Sequence, residues 1–252
     1  NVFTGSPPDA DVIVAGFGSQ SQDWWTRGIE SMIEQSGLIF VAGIGNGYEV
    51  YDPPLYPAAG TNVIGVGVVD SVNSNDMAIN LAHFSLAYPD HSSFGPTRDG
   101  RCKPDIIACG NCLAANINGP NNYEPTGNWS SFSTPTVAGT IGLLVQKAKQ
   151  DPNVSSVISS HSGNCVIKAI LMNSATKLPY WHKGRVDIDD DHQVPLDYIQ
   201  GAGMLNAVSA YEHLIAGQAK ADEVSGIGWD LNHLDKDKGP KNTYRISVTE
   251  PV

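Results

Sequence analysis

A chain of 252 residues with 41% hydrophobic composition can bury a full core and is long enough for one large domain, or one domain with an appendage. Its 26 acidic against 15 basic residues give a net charge of -11, which repels a phosphate backbone and argues against nucleic acid as a partner. No apolar run approaches the ~20 residues that a bilayer crossing needs, so a membrane span is excluded as well.

The chain opens with "NVFTGSPPDADV", which lacks the basic start and apolar centre of a signal peptide; any export signal is expected upstream. "ADVIVAGFG" (10–18) is a short apolar run ended by glycines and predicts a strand buried on both faces. In "DWWTRGIESMIEQSG" Trp25, Ile29, Met32 and Ile33 share one helical face, Asp23 can cap the start and Gly37 can end it. "LIFVAGIG" (38–45) and "NVIGVGVVD" (62–70) predict two further buried strands. Strand, helix, strand with short connections is the pattern of a parallel α/β sheet.

Residues 71–130 are rich in Asn, Ser, Pro and Gly and predict a loop-heavy region, with short strand candidates at "AHFSL" and "DIIACG". Helices are expected at 135–150 and 165–177, then an acidic insertion, "VDIDDDHQVPLD", and a last helix in "LNAVSAYEHLIAG". From Gln218 the composition turns charged and polar and closes with the alternating "TYRISVTEP". Residues 217–252 are therefore expected to form a linker and the start of a β domain, and 1–216 the main body. There is no internal repeat.

Cys102, Cys109, Cys112 and Cys165 are too few for a disulfide scaffold. "CGNC" has redox or zinc spacing without a second CxxC or a nearby His pair, so a loop disulfide of Cys102 with Cys112 or Cys109 is preferred to metal. Cys165, in "CVIKAILM", reads as a small buried hydrophobe.

"NWSSFSTPTVAGTIGLLVQKA" gathers hydroxyls at a helix start. A serine hydroxyl becomes a nucleophile only when a base takes its proton and donors receive the oxyanion it creates. A helix N-terminus supplies unpaired N–H groups and a positive dipole end for that charge. Pro135 suits the first turn, and Ala138, Gly139 and Gly142 suggest a thin side packed on the sheet. Taken alone, the junction reads as capping and turn residues.

The order of motifs adds to that reading. "SSFSTPTVAG" resembles the nucleophile segment of subtilisin-like serine proteases (subtilases, peptidase family S8), and the resemblance runs collinearly from 10 to 216. "ADVIVAGFG" resembles the substrate-lining strand, and "FVAGIGNG" the strand and turn of the oxyanion-hole asparagine. "YPAAGTNVIGVGVVDS" and "SSFGPTRDGRCKPDIIACG" resemble the approach to the nucleophile, and "IKAILMNSATKL" and "GAGMLNAVSAY" the closing helices.

The resemblance implies a three-layer α/β sandwich with a mainly parallel sheet flanked by helices, incomplete at its N-terminal side. It implies Ser131 as nucleophile, four positions before Pro135, and Asn46 as oxyanion donor. Gly16, Phe17 and Gly18 would form one wall of the primary specificity pocket, and Ala42, Gly43 and Ile44 the other. By resemblance the protein is a secreted or cell-surface endopeptidase acting on peptide or protein substrates and requiring no cofactor, with calcium as an option. Beside this stand two simpler readings of the residues: Asn46 in "GIGNGY" as an ordinary Asn–Gly turn, and Phe17 and Ile44 as plain core.

The family's Asp-Ser/Thr-Gly and His-Gly-Thr motifs do not occur. His83 and His91 precede Ser131 in the wrong settings, and His161, His182, His192, His213 and His233 follow it. The Asp and His of the triad are therefore expected from a portion absent from this chain, the N-terminal part of the same catalytic domain, which leaves the chain inactive by itself. The alternative is a non-catalytic subtilase-like scaffold that binds a peptide or partner domain. Trp129 and Ser130 stand where the family has Gly-Thr, and Thr136 where it has His. Asp187, Asp189 and Asp191 alternate as in a calcium loop, but His192 and Tyr198 occupy its Gly and Glu positions, so a solvated acidic loop is preferred. "GFGSQS" and "GIGNGY" lack the GxGxxG context of a nucleotide loop. Asn128 and Asn153 begin sequons.

Overall fold

The computed structural model describes residues 9–21, 24–47, 53–69, 92–119, 122–178, 181, 194–234 and 241–247. Asp23, "AHFSL", His83, His91, His182, His192 and the aspartates 187, 189 and 191 lie outside the described residues. Four strands, β1 (Val12–Ala15), β2 (Ile39–Gly43), β3 (Ile64–Val69) and β4 (Ile106–Cys109), form one sheet in sequence order. All pair in parallel, with Val12 opposite Ile39, Val41 opposite Ile64 and Val66 opposite Ile106.

Side-chain alternation sorts the strands between two layers of helices. Phe40 and Ala42 of β2, with Ile44 just beyond it, pack with Ile29, Met32 and Ile33 of α1 (Trp24–Ser36). Ile39 and Val41 face the other way, with Ile64, Val66, Ile106 and Ala108. There they meet Val137, Ile141, Leu144 and Val145 of α2 (Ser130–Gln150), with α3 (Pro152–Ile158), α4 (Gly163–Ser174) and α5 (Ala207–Ala216) behind. Burial of each such aliphatic side chain contributes about 1.5–3 kcal/mol. Gly37 ends α1 as expected, at φ 71° with its N–H on Ile33 O at 2.9 Å.

Several expectations need correction. β1 is not buried on both faces: it is the edge strand among the described residues, and Val14 is 45% exposed. The helix at 135–150 begins five residues earlier, so Pro135 is its sixth residue and not part of its first turn. Having no N–H, Pro135 leaves the Ser131 carbonyl without its i+4 donor. Ala138 faces the core, but Gly139 and Gly142 point away from the sheet, with open space where a Cβ would be. Leu143 beside them is 68% exposed, so the thin side of α2 faces outward.

Helix α3 escaped the sequence reading, although Asp151 caps it by accepting from Asn153 N–H at 3.0 Å. So did a hairpin, β5 (Leu113–Ala115) with β6 (Tyr123–Pro125), between β4 and α2. Past residue 216, Trp229 joins the α2 core, its Nε1–H donating to Leu214 O at 3.2 Å, Gln218 bridges to Trp229, and β7 (Asp222–Glu223) pairs with β8 (Tyr244–Arg245).

The loop disulfide is not formed, because all four cysteines are free. Cys102 faces the 197–201 turn, its thiol donating to Asp197 O at 3.1 Å, and burial pushes its pKa up to about 12. Cys112 instead lies against Thr126, and Cys165 is exposed on α4 rather than buried.

One buried ion cluster ties the layers together. Asp105, just before β4, accepts from Gly65 N–H at 2.7 Å and from Lys103 Nζ at 2.6 Å, while Lys168 Nζ of α4 lies 3.0 Å from its other oxygen. Burial pushes Lys103 down to about 8 despite Asp105 beside it. Burial also raises the Asp105 carboxyl, but the two ammonium groups outweigh it and hold its pKa below the ordinary value.

Candidate active site

The N-terminus of α2 meets the C-terminal ends of β1 and β2. Trp129 is the N-cap residue, extended at φ -119° and ψ 145°, and its carbonyl accepts from Phe132 N–H at 2.9 Å. Ser130 and Ser131 are therefore the first two helical residues, where backbone N–H groups have no partner within the helix. Ser130 is buried and Ser131 half-buried. The Ser131 hydroxyl donates to Gly16 O, one residue past β1, at 3.0 Å.

Asn46 comes from the turn after β2. Gly45 at φ 120° and Gly47 at φ 62° flank it in backbone conformations that residues with a Cβ rarely adopt, and a Cβ on Gly45 would fall 2.1 Å from Ser93 Oγ. The Asn46 side-chain oxygen accepts from both Ser130 N–H and Ser130 Oγ–H at 2.9 Å, while Ser130 Oγ accepts from Gly45 N–H at 3.3 Å. Both acceptor positions on Oδ1 are thereby occupied. The carboxamide is fixed with its NH₂ end turned away from Ser130, as a donor. Ser133 and Thr134 hydroxyls close the network on Ser130 O at 3.2 and 2.5 Å.

Gly16, Phe17 and Gly18 run beside the two serines. A Cβ on Gly16 would be 3.6 Å from that of Ser131, an ordinary contact, whereas Gly18 is wedged against Leu55 and Tyr56 O, where a Cβ would sit at 2.8 and 2.9 Å. Phe17 is exposed and stacks on Trp25 with ring centroids 6.3 Å apart, so it is not a core residue. On β2, Ala42 is fully buried against α1, as is Ile44 just beyond the strand; that stretch can offer a substrate its main chain but not those side chains. Gly43 faces the other way, and a Cβ there would lie 3.0 Å from Ser130 Oγ.

The structure thus brings Ser131, Asn46, Gly16 and Gly43 to one rim. Ser130 is the residue that sequence reasoning missed; the signal was a second small hydroxyl beside the candidate nucleophile. Among the described residues no histidine hydrogen-bonds Ser131. His161 is exposed, His213 is buried against Gly228 at 3.2 Å, and His233 is exposed. Among the described residues no group of three or more His, Cys, Asp or Glu could hold a metal ion, Cys109 and Cys112 included. No helix there is long and apolar enough to cross a membrane.

A model of the Subtilase family, Peptidase_S8, matches residues 5–203. Pyrolysin of Pyrococcus furiosus is 26% identical over 236 residues, 82% of this chain and 15% of its own length. Subtilisin-like protease SBT6.1 of Arabidopsis thaliana is 25% identical over 179 residues, 71% of this chain and 16% of its own. C5a peptidase of Streptococcus pyogenes serotype M1 is 34% identical over 120 residues, 47% of this chain and 9% of its own. The chain therefore spans a small part of the length of these relatives. Among solved structures, Prenylagaramide maturation protease PagA superposes with a TM-score of 0.54 at 22% identity, over 83% of this chain and 64% of that one. Patellamide maturation protease PatA gives 0.52 at 24%, over 80% and 60%. These two likenesses bear on the fold alone. With the family model spanning most of the sequence and the parallel sheet arranged as described, the chain belongs to the Subtilase family.

Proposed function

We propose that this chain is the C-terminal portion of a serine endopeptidase catalytic domain. Ser131 Oγ attacks the scissile carbonyl carbon, its proton passing to an imidazole supplied by another portion of the domain. The oxyanion receives hydrogen bonds from Asn46 Nδ2–H and from the helix N-terminus. Collapse of the tetrahedral intermediate breaks the C–N bond, the imidazole returns the proton to the leaving amine, and water then releases the acyl-enzyme.

The observation that carries this reading is the pairing of Asn46 Oδ1 with Ser130, which turns the amide donors outward next to a serine hydroxyl at a helix N-terminus. Among the described residues β1 has an unpaired edge, its following Gly16 carbonyl accepts from Ser131, and the stripe of Gly139, Gly142 and Leu143 lies open further along the helix that Ser131 begins; these suit a strand and a helix of the portion that brings the His and Asp. Residues 1–216 belong to the catalytic domain, and 217–252 pack back on it at Trp229 before leading toward a β domain. By family resemblance the whole protein works secreted or at the cell surface and requires no cofactor, with calcium as an option.

The experiment compares peptide hydrolysis by the 252-residue chain alone and after addition of the Asp- and His-bearing portion. Turnover is expected only in the second case. The alternative, a scaffold that binds without cleaving, draws on the Ser131 bond to Gly16 O, which leaves the hydroxyl proton on a carbonyl and not on a base. It predicts peptide binding and no turnover in either case.

A further inference from the structure

Trp129 stands directly before the two serines, where the resemblance puts glycine. Its N–H donates to Gly127 O at 2.9 Å, and this tight turn sets the indole against residue 127. A Cβ at Gly127 would fall 2.2 Å from the indole Nε1 and 2.9 Å from Cδ1 and Cε2. Behind it, a Cβ at Gly110 would meet Trp129 N and O at 3.1 Å. Glycine at both positions lets the β4–β5 connection close on the main chain of Trp129 while its ring rests on residue 127. The ring is held in place yet only half-buried.

Upstream, Thr126 joins this turn to the β5–β6 hairpin, donating its N–H to Cys112 O at 2.8 Å. Leu113 pairs with Pro125 and Ala115 with Tyr123, so strand alternation puts all four on one face. That face is uncovered, with Leu113 70% and Tyr123 69% exposed. An apolar face on a two-stranded hairpin is hard to sustain in water unless something covers it.

We infer that Trp129 and this hairpin face seat the substrate residues that follow the scissile bond, with an aromatic or large aliphatic side chain directly after the bond lying on the indole. The inference rests on the proposed function. The segments at 16–18 and Gly43 are the walls assigned to the acyl side, and the indole belongs to neither. It is two residues from Ser131, and the hairpin adjoins it through Gly110, which packs on the Trp129 main chain, and through the Thr126–Cys112 hydrogen bond. A ring already fixed by two glycines loses little freedom when a substrate side chain stacks on it, which favours binding there.

The test uses the chain assembled with the Asp- and His-bearing portion and two peptide series. One varies only the residue after the scissile bond among Phe, Leu, Gly and Asp; the other varies only the residue before it. The expected result is that kcat/KM for Phe or Leu after the bond exceeds that for Gly by about tenfold. Trp129→Gly, and Gly127→Ala, which drives the ring off its seat, bring that ratio to about one, while Trp129→Phe retains most of it. The ratios in the second series stay as they were. An unchanged ratio in both Trp129→Gly and Gly127→Ala overturns the inference, as does an equal change in the second series. Labelling of Ser131 by a small fluorophosphonate reports the parent reading separately. Its absence in the assembled wild type overturns the proposed function, and the inference with it.

Discussion

The carboxamide of Asn46 is useful to an oxyanion only if its NH₂ end faces the reaction, and Ser130 decides that by taking both acceptor positions on the oxygen. Asn46→Leu keeps the volume and removes the donor. It is expected to lower kcat of the assembled enzyme by 10²–10³, about 2.7–4 kcal/mol, with KM little changed; this magnitude is carried over from subtilisin, a member of the same family. Ser130→Ala removes one of the two anchors and leaves Gly45 N–H without its partner. Chemical denaturation should show a loss of about 1 kcal/mol, and kcat should fall less than for Asn46→Leu. Asn46 and Ser131 were put forward from the sequence because their local motifs stand in order along the chain. Ser130 was not, because its task depends on a residue 84 positions away, and no local pattern encodes that distance.

At the scale of elements, the buried strands and α1 were legible from apolar runs and a helical face, with Gly37 closing α1 as its position suggested. What the sequence misled on was exposure. "VIVA" (12–15) is apolar throughout, so the edge position of β1 could not be told from a central one, and Gly139 and Gly142 look alike whether they meet a sheet or open space. Their outward position yields a two-part expectation. Gly139→Ala and Gly142→Ala should each stabilise the isolated chain, by about 0.8–1.0 kcal/mol from helix propensity, as read by thermal unfolding. If the proposed His- and Asp-bearing portion docks on this stripe, the same changes should weaken its association, measured by titration calorimetry. Unaltered association would remove α2 from that interface. Gly201 provides the contrasting case: at φ 62°, with a Cβ that would fall 2.5 Å from the Asp105 carbonyl, Gly201→Ala should destabilise the turn by more than the ~1 kcal/mol typical of point changes.

Across the whole molecule, the Lys103, Asp105 and Lys168 cluster joins β3, β4 and α4 and sets how stability responds to pH. The folded pKa of Asp105 lies below its ordinary 3.8, so its contribution is complete above that value and is lost as pH falls through the lower folded one. Lys103 acts in the opposite sense. Between its folded value of about 8 and its ordinary 10.5 the unfolded chain binds more protons, so this group alone makes stability rise with pH across that window. Asp105→Asn leaves two ammonium groups without their carboxylate. It should cost about 3–5 kcal/mol and flatten the acid limb of a stability profile followed by circular dichroism.

The proposal that the chemistry is shared between this chain and a portion that supplies the base is tested most directly by mass-spectrometric mapping of a fluorophosphonate adduct. The account predicts a single adduct on Ser131 in the assembled domain, lost in Ser131→Ala and formed at least about 10³-fold more slowly by the chain alone. An adduct on another serine, or labelling of the isolated chain at the assembled rate, would contradict it.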